Sequence, residues 1–460
     1  MKSAPNIIIC TCDQLRAFEV GCYGNDVIRT PNIDRLAAAG VRFETGVTNY
    51  PVCLPARSVL LSGQYNRTCT GGSSNVTVKG PGGRGFFPQY PEHGRPHLKD
   101  ETLPERLRDM GYETATIGKW HIHSWPHDVG FDFYVIPRVN HCHVGQSFTE
   151  NGGVEFVPEG TSMDYEADRL EQFLDARDDA KPFLMYYNIS PPHCPFGDAP
   201  EKYLTMYEPA AIPLRPNVDL GTPLRNQDHW FKVYRWDFRY YNHRLPETMR
   251  LPEGYTLRNL IAEYYGLTTW VDDTVGRMLD VLDRTGLSEN TIVVFTSDHG
   301  DNLGSKGLVQ KGGPNEEAIR IPFIISWPGL GTSPRVNQTH VASLVDVAPT
   351  LLSLIGAEIP PHFQGRDLAP LCHGESSDIP SHAIVETGGG AAIRTLDHMY
   401  YLPFAGGNHQ LAEAPSQFFD LARDPYQMQN LAADDPTTTA QDLDETLRRW
   451  SAATPWMAVE

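Results

Sequence analysis

One cysteine in this chain stands in the pattern Cys-x-Pro-x-Arg, formed by Cys53, Pro55 and Arg57. A free cysteine is most often a small buried hydrophobic residue, so the pattern alone is weak evidence of chemistry. Residues 56–61, however, predict the start of a helix. That helix would place Cys53 at a helix N-terminus, where backbone N–H groups favour an anion. The pattern therefore leaves two readings of Cys53, a buried structural residue or a residue that faces a bound anion.

Charged residues follow three of the predicted strands. Asp13 comes after an apolar run at 6–11, Lys119 follows a strand predicted at 114–117, and Asp298 with His299 follows one at 291–296. The carboxyl ends of neighbouring parallel strands form sites, so these side chains can share one. Taken singly, an Asp in a turn or a solvated surface Lys explains each residue as well. Histidines at 123, 127, 141 and 143 either line the same pocket or lie at the surface.

The chain resembles the type I (formylglycine-dependent) sulfatases of the alkaline phosphatase superfamily over nearly its whole length. The resemblance rests on short segments that occur in the family's order. They are 6–13 (NIIICTCD), 21–43 (GCYGNDVIRTPNIDRLAAAGVRF), 50–63 (YPVCLPARSVLLSG), 118–121 (GKWH) with 130–132 (GFD), 192–196 (PHCPF), 297–301 (SDHGD) and 418–431 (FFDLARDPYQMQNL).

The resemblance implies a modified nucleophile and a metal ion. In this family the cysteine is oxidised to formylglycine, whose hydrate attacks sulfur with one hydroxyl and releases the alcohol. The second hydroxyl is then deprotonated, which expels sulfate and regenerates the aldehyde. A formylglycine-generating enzyme is thus an expected partner during maturation. The implied ligands of one divalent cation are Asp13, Gln14, Cys53 (as formylglycine), Asp298 and His299.

Other side chains are implied to act on the ester itself: Arg57, Lys119, His121, His193, Lys311 and, as an additional oxygen contact, Asn75. Arg57 would hydrogen-bond the hydrate and offset its charge. Lys119 and Lys311 would bind sulfate oxygens, providing charge stabilisation that sulfuryl transfer needs. His121 would deprotonate the second hydroxyl, and His193 would be the acid or hydrogen-bond donor for the leaving group.

Gln14 departs from the commonest family pattern, which has a second Asp at this position. An amide oxygen still binds a cation, but the site loses one negative charge. Ca²⁺ is the cation that the family implies, and Mn²⁺ is the alternative because His299 supplies an imidazole. The pairing of Asp13-Gln14 with Asp298-His299 also resembles phosphonate monoester hydrolases, which are close relatives.

These observations predict a sulfatase that hydrolyses a sulfate monoester to an alcohol and sulfate. The alternative is a phosphonate monoester or phosphodiester hydrolase on the same scaffold, and a second rival is a catalytically inactive binding protein. The expected substrate is a small sulfated sugar or aryl sulfate. An aromatic and basic segment at 230–244 would contact that substrate or a partner subunit, which leaves a homo-oligomer open.

Composition excludes several other classes. A formal net charge of −19 argues against nucleic acid or an anionic membrane as a partner, and makes a long polyanionic glycan a less natural substrate than a small ester. The first residues enter a predicted strand without a signal-type apolar stretch. We therefore expect a cytoplasmic protein whose eight cysteines are thiols; a trimmed secreted form would show the same features.

The order of predicted elements favours an α/β fold. Strands alternate with helices over most of the chain, which predicts a large, mostly parallel sheet sandwiched by helices. The first helix is expected at 31–40, with Gly40 as its C-cap, and residues 197–255 are expected to be irregular. From about residue 374 the pattern changes to short strands and a last helix. We therefore predict a catalytic domain at 1–373 and a smaller C-terminal α+β domain at 374–460.

Overall fold

The computed structural model describes residues 4–75, 78–79, 85–86, 94–138, 141–236, 251–331, 335–407, 409–434 and 437–458. Of the segment 230–244, predicted to contact the substrate or a partner subunit, residues 237–244 lie outside the described residues. No helix among the described residues has both the length and the apolar composition needed to cross a bilayer.

The strands of the described residues are β1 (Asn6–Asp13), β2 (Gly40–Val47), β3 (Val78–Lys79), β4 (Gly85–Phe86), β5 (Glu113–Gly118), β6 (Phe133–Pro137), β7 (Phe148–Glu150), β8 (Phe183–Pro192), β9 (Thr291–Ser297), β10 (Arg320–Ile321), β11 (Phe323–Ser326), β12 (Arg335–Ser343), β13 (His382–Thr387), β14 (Gly390–Thr395), β15 (His398–Pro403) and β16 (Gln417–Asp420).

The α-helices of the same residues are α1 (Pro31–Ala38), α2 (Cys53–Ser62), α3 (Asn66–Cys69), α4 (Leu103–Asp109), α5 (Ser162–Ala176), α6 (Glu201–Leu204), α7 (Gln227–Trp236), α8 (Leu257–Arg284), α9 (Glu316–Ile319), α10 (Val347–Leu354), α11 (Ala369–His373) and α12 (Thr438–Ala453).

The large sheet has a parallel centre. In the described part of the chain it contains ten strands, in the order β10-β2-β11-β9-β1-β8-β5-β6-β7, with β12 paired to β2. The strands β9, β1, β8, β5 and β6 are parallel, whereas β11 is antiparallel to both β9 and β2, and β7 is antiparallel to β6. The central strands β1, β8 and β9 are buried along their whole length, as parallel strands between helices must be. The predicted fold class is confirmed, with a sheet that becomes mixed toward its edges.

Two apolar cores lie on opposite faces of this sheet, because successive residues of a strand point to opposite sides. Ile8 of β1 belongs to the core that holds the buried faces of α1, α5 and α8. Its neighbour Ile7 belongs to the core that holds α2, α4 and α10. The sheet is therefore covered by helices on both faces, and its strand ends are held rigidly.

A second sheet occupies the C-terminal part of the chain. The strands β13, β14, β15 and β16 pair in that order and are all antiparallel. Leu443 and Leu447 of α12 pack on this sheet in a core with Ile384 and Ile393. A smaller antiparallel sheet with a last helix agrees with the predicted α+β character, while the boundary at residue 374 stays a prediction.

Two local predictions are wrong. The helix α1 ends at Ala38, and Gly40 begins β2 instead of capping the helix. A Cβ atom at Gly40 would lie 2.3 Å from the carbonyl oxygen of Ile325, so this glycine permits the close approach of β2 and β11. The supposedly irregular region 197–255 contains the ten-residue helix α7. Its buried residues Phe231 and Tyr234 are spaced by three, which is a weak helical signal in a short segment.

Candidate active site

The candidate site lies where the parallel strands end. Asp13 is the last residue of β1, Lys119 follows β5, His193 follows β8 and Asp298 follows β9. Because β5, β8, β1 and β9 are adjacent and parallel, their carboxyl ends meet at one edge of the sheet. The helix α2 brings its first residue, Cys53, to the same edge. The structure thus places these five predicted residues in one region.

Four buried groups converge at the N-terminus of α2. They are Asp13, Cys53, Asp298 and His299, and each has a ligand atom within 4.8 Å of the others. Cys53 Sγ lies 3.2 Å from His299 Nε2 and 3.8 Å from Asp13 Oδ1. His299 Nε2 is also 3.5 Å from Asp298 Oδ1. His299 Nδ1 is 2.9 Å from the carbonyl oxygen of Gly300, to which it donates, so the lone pair of the neutral ring lies on Nε2 and faces the cluster.

This donor set fits a divalent cation. It offers carboxylate oxygens from Asp13 and Asp298 and an imidazole nitrogen from His299, all buried where uncompensated charge is costly. Burial alone would raise the pKa of Asp298, but its electrostatic contacts with His299, Arg57 and two lysines outweigh burial and lower that pKa. Asp298 is therefore ionised and able to bind a cation. The oxygen-rich set suits Ca²⁺, and its imidazole suits Mn²⁺.

Arg57 is fully buried beside this cluster and is held by four partners. Its Nε lies 3.1 Å from Asp298 Oδ2, and its Nη1 donates to Asn188 Oδ1 (2.9 Å) and to the carbonyl oxygen of Lys119 (3.0 Å). Its Nη2 is 3.4 Å from Asp13 Oδ2. Burial opposes the positive charge, but Asp298 nearby raises the pKa of Arg57 above its ordinary value. The guanidinium thus orients two candidate metal ligands.

Gln14 links the cluster of candidate metal ligands to the ammonium group of Lys311. Its Oε1 accepts a hydrogen bond of 2.6 Å from Lys311 Nζ, and its Nε2 donates to Asp301 Oδ2. The donor on one side and the acceptor on the other define the orientation of the amide. Lys311 Nζ is also 3.3 Å from Cys53 Sγ. Gln14 therefore holds Lys311 beside the candidate nucleophile without adding negative charge.

Lys119 brings a second ammonium group to the site. It is almost fully buried, and its Nζ contacts Asp13 Oδ2. Burial lowers the pKa of Lys119, an effect that the charge of Asp298 opposes. Two lysines and one arginine thus surround a cysteine at a helix N-terminus. An anionic ester is the substrate type that such a set stabilises.

Three imidazole rings lie near Lys119, and two of them, His141 and His193, each have a ring nitrogen within 4.8 Å of an Asp13 carboxylate oxygen. The rings of His141 and His193 stack with centroids 3.8 Å apart, and the ring of His121 is 6.5 Å from that of His141. His193 Nδ1 donates to the carbonyl oxygen of Cys194 at 2.6 Å. Burial, together with neighbouring positive groups, lowers the pKa of both His121 and His193. In the ligand-free state these two rings are therefore neutral and able to accept protons.

Asn75 reaches the site from the loop after α3. Its Oδ1 accepts a hydrogen bond of 3.1 Å from the backbone N–H of Leu54, and its Nδ2 is 3.9 Å from Cys53 Sγ. The side chain therefore caps the first turn of α2 beside the candidate nucleophile. With Asn75, all of the implied catalytic and metal-binding residues are brought to the same edge, whereas the candidate pocket residue His127 is exposed and packs against Trp125 and Tyr134.

The sequence did not single out several supporting residues. Asp301, in the SDHGD segment, accepts hydrogen bonds of 2.8 Å from Tyr234 to both of its carboxylate oxygens, besides the contact with Gln14. Asn188 of β8 anchors Arg57. A second Asp in SDHGD and a polar residue inside an apolar strand were available signals for Asp301 and Asn188. Tyr234 lies in the aromatic and basic segment 230–244, for which the sequence predicted a contact with substrate or a partner subunit and no supporting role for Asp301.

Comparison with known proteins agrees with this arrangement. The sulfatase family model matches residues 5–357. An ulvan-active sulfatase from Formosa agariphila is 29% identical over 474 aligned residues, which cover 97% of this chain and 80% of the relative. An N-acetylglucosamine-6-O-sulfatase from Bacteroides thetaiotaomicron is 29% identical over 420 residues, covering 81% of this chain and 71% of the relative.

A solved structure shows the same likeness in three dimensions. It is a complex of an enzyme with its substrate, D-glucosamine-2-N,6-O-disulfate. It superimposes with a TM-score of 0.80 at 25% sequence identity, covering 98% of this chain and 99% of the other. The likeness thus includes both sheets.

Proposed function

The chain belongs to the sulfatase family and is a sulfuric ester hydrolase, and we propose that it cleaves a sulfate monoester through a formylglycine made from Cys53. One observation carries this proposal. Cys53, in an intact Cys-x-Pro-x-Arg pattern, lies within hydrogen-bonding or ion-contact distance of His299, Lys311 and Asp13. A buried structural cysteine has no need of such partners.

The proposed site holds one divalent cation among Asp13, Gln14, Asp298, His299 and residue 53. The cation would supply positive charge that polarises an oxygen of the ester. Formylglycine would supply, as its hydrate, a hydroxyl that attacks sulfur and a second hydroxyl that permits release of sulfate. The family expectation is Ca²⁺, and Mn²⁺ is the alternative.

The remaining cationic residues bind and orient the ester. Two lysines would hold sulfate oxygens near residue 53. Lys311 contacts Cys53 Sγ, and Lys119 contacts Asp13. Arg57 keeps Asp298 and Asp13 in position and balances their charge. Preorganised charges in a buried site stabilise the developing negative charge more strongly than charges in water.

The two neutral histidines would move protons. His121 accepts the proton of the second hydroxyl, a role that its lowered pKa permits at neutral pH. His193 donates to the leaving oxygen from Nε2, because its Nδ1 is engaged with the carbonyl oxygen of Cys194. The negative charge of a bound ester opposes the effect of burial on His193 and favours the protonated ring that this step needs.

The substrate class that we propose is a sulfated sugar. The relatives include enzymes named for ulvan and N-acetylglucosamine-6-sulfate, and the similar solved structure contains a sulfated glucosamine. The site itself requires only a singly charged ester on an accessible alcohol, so small aryl sulfates should also be cleaved and are convenient probes.

Gln14 favours one second activity. With an amide in place of a second early carboxylate, the ligand set carries two carboxylate charges, from Asp13 and Asp298. Phosphonate monoesters and phosphodiesters are also singly charged and would be accepted as side substrates. Phosphate monoesters, with two charges, would be poorer.

Mass spectrometry and kinetics together test the proposal. The protein, co-expressed with a formylglycine-generating enzyme, should carry an aldehyde at residue 53 and should hydrolyse an aryl sulfate faster than the matching phosphonate ester. Cys53→Ala should abolish turnover with an unchanged melting temperature, because only a small side chain is truncated. Turnover by a protein containing only unmodified Cys53 would refute the formylglycine mechanism. A higher rate on the phosphonate ester would favour the alternative activity.

A further inference from the structure

The end of the chain lies on the loop that leads to Asn75. The backbone N–H of Met457 donates to the carbonyl oxygen of Arg67 at 2.8 Å, and Thr68 Oγ1 donates to the carbonyl oxygen of Pro455 at 2.7 Å. These contacts join residues almost 390 positions apart in sequence. The segment 454–457 thus packs directly against residues 66–72, which begin with α3.

Arg67 is the anchor of this contact. Its side chain is fully buried and forms an ion pair with Glu386 of β13, and its Nη1 donates to Ser451 Oγ at 3.1 Å. The guanidinium also lies over two indole rings, 4.1 Å from the centroid of Trp450 and 4.8 Å from that of Trp456. Cation–π contacts are stronger at buried sites than at exposed ones. The C-terminal sheet, the last helix and the segment 454–457 therefore all hold one residue of α3, the helix from which the loop to Asn75 leads.

The loop has the shape that this contact needs. Gly72 adopts a φ of +80°, and a Cβ atom there would lie 2.4 Å from the ring of Trp456. The absence of a side chain lets the indole lie against the backbone of the turn. Three residues later, Asn75 caps Leu54 N–H and approaches Cys53 Sγ. Between them, Ser73 Oγ lies 3.2 Å from His97 Nε2.

We propose that the chain end, through Trp456, is a positioning element of the active site that fixes Asn75 against the first turn of α2. This inference rests on the proposed function and on the sequence prediction that Asn75 contacts an ester oxygen beside residue 53. A polar turn of two glycines and several short side chains would otherwise sample many conformations, and ordering it costs conformational entropy. Packing against Trp456 and Arg67 fixes the conformation of this turn, and both residues lie outside the large sheet.

Kinetics of Trp456→Ala test the proposal. We expect kcat on an aryl sulfate to fall about tenfold, because Asn75 loses its fixed position. Trp456→Phe should retain most of the activity, since it keeps an aromatic face for Arg67. Leu443→Ala is the control: it removes a buried side chain from the core between α12 and the C-terminal sheet, a core to which Trp456 does not belong. It should lower the melting temperature with little change in kcat.

A double-mutant comparison separates positioning from general destabilisation. In an Asn75→Ala background, Trp456→Ala should have little further effect on kcat, because both changes act through one side chain. Losses of kcat that multiply in the double variant would overturn the proposal. So would wild-type kcat in folded Trp456→Ala.

A readout that needs no turnover distinguishes failure of this inference from failure of the proposed function. In protein expressed without the modifying enzyme, Cys53 is a thiol that is 1% exposed, covered in part by Asn75. Iodoacetamide should label Cys53 several-fold faster in Trp456→Ala than in wild type or Leu443→Ala, with buried Cys10 as the internal reference. Equal labelling rates at Cys53 would overturn the inference even if the enzyme is a sulfatase.

Discussion

Arg57 contacts a single oxygen of Asp298 with two nitrogens: Nε lies 3.1 Å and Nη2 3.0 Å from Oδ2. The other oxygen, Oδ1, is 3.5 Å from His299 Nε2 and belongs to the candidate metal cluster. The guanidinium therefore binds Oδ2 of the Asp298 carboxylate and leaves Oδ1 for a metal ion. A planar, forked cation fits this role better than an ammonium group does.

Arg57→Lys should consequently weaken both metal binding and turnover. A lysine cannot contact Asp298, Asn188 and the carbonyl oxygen of Lys119 together, so the ligands lose their orientation. Loss of such supporting contacts typically costs about 10–100-fold in metal affinity or activity. Metal titration and kcat/KM measure the two effects. Arg35→Lys, in a half-exposed ion pair with Asp283, is the control and should change neither. If Arg57→Lys binds the metal as tightly as wild type, the guanidinium of Arg57 does not orient the metal ligands.

Lys119→Ala and His121→Ala should each lower kcat by about 10²-fold or more, the first through lost charge stabilisation and the second through lost proton transfer. With metal at saturation the melting temperature should change little, because the ion compensates Asp13 when Lys119 is removed. With a chelator present, Lys119→Ala should melt at a lower temperature than wild type, since Asp13 is then buried without a neighbouring ammonium. Near-normal kcat in both variants would show that the GKWH segment has been assigned wrongly.

His97 should contribute a pH-dependent part of the stability. Burial, with the nearby His123 and Lys99, lowers the pKa of His97 to about 4. The unfolded chain therefore binds more protons than the folded one between about pH 6.5 and 4. The contribution of His97 to the free energy of unfolding is fully present above pH 6.5 and is lost as the pH falls toward 4, by at most about 3 kcal/mol.

Urea unfolding of wild type and His97→Asn at pH 7.5 and pH 4.5 measures this effect. The difference in free energy of unfolding between the two pH values should be smaller in the variant. His340→Asn, at a position of intermediate exposure on β12, is the control and should retain the wild-type difference. An equal pH dependence in His97→Asn and wild type would contradict the prediction.

The sequence predicted those site residues that lie at the end of a strand or at the start of a helix. Asp13, Lys119 and Asp298 each follow a buried strand, and the pattern of apolar residues places such strands side by side. Cys53 starts a helix that the following residues predict. The central strands β1 and β9 were predictable because each begins with a run of mostly apolar residues.

The rest depends on contacts between residues distant in sequence. Asn188 and Tyr234 support the site only because β8 and α7 come close to Arg57 and Asp301 in the fold. The strand β2 was not predicted, since it mixes polar and apolar residues, and Gly40 in it is explained only by the backbone of β11 opposite. Such pairings are set by tertiary packing, which overrides local propensity.

The last prediction concerns Gln14 and the cation. In Gln14→Glu the new carboxylate would face Asp301 where the amide N–H₂ now donates, and would draw Lys311 into an ion pair at the expense of the ester. We expect tighter divalent-cation binding, because the site gains a negative charge, but a loss of at least about tenfold in kcat/KM for an aryl sulfate. The loss should be larger for a phosphate monoester, which carries two charges. Gln14→Asn, which keeps the neutral amide, is the matched control and should preserve the ester preference at a lower rate.

The same series identifies the metal. Wild type stripped with a chelator should be inactive, and Ca²⁺ should restore turnover, with Mn²⁺ as the other ion that the imidazole of His299 accommodates. Restoring the ions one at a time, with sulfate and phosphonate esters assayed in parallel, gives the metal and the ester preference together. Full activity of the stripped wild type would refute the metal site. Tighter metal binding in Gln14→Glu without any loss of sulfate turnover would show that the amide does not preserve the role of Lys311 toward the ester.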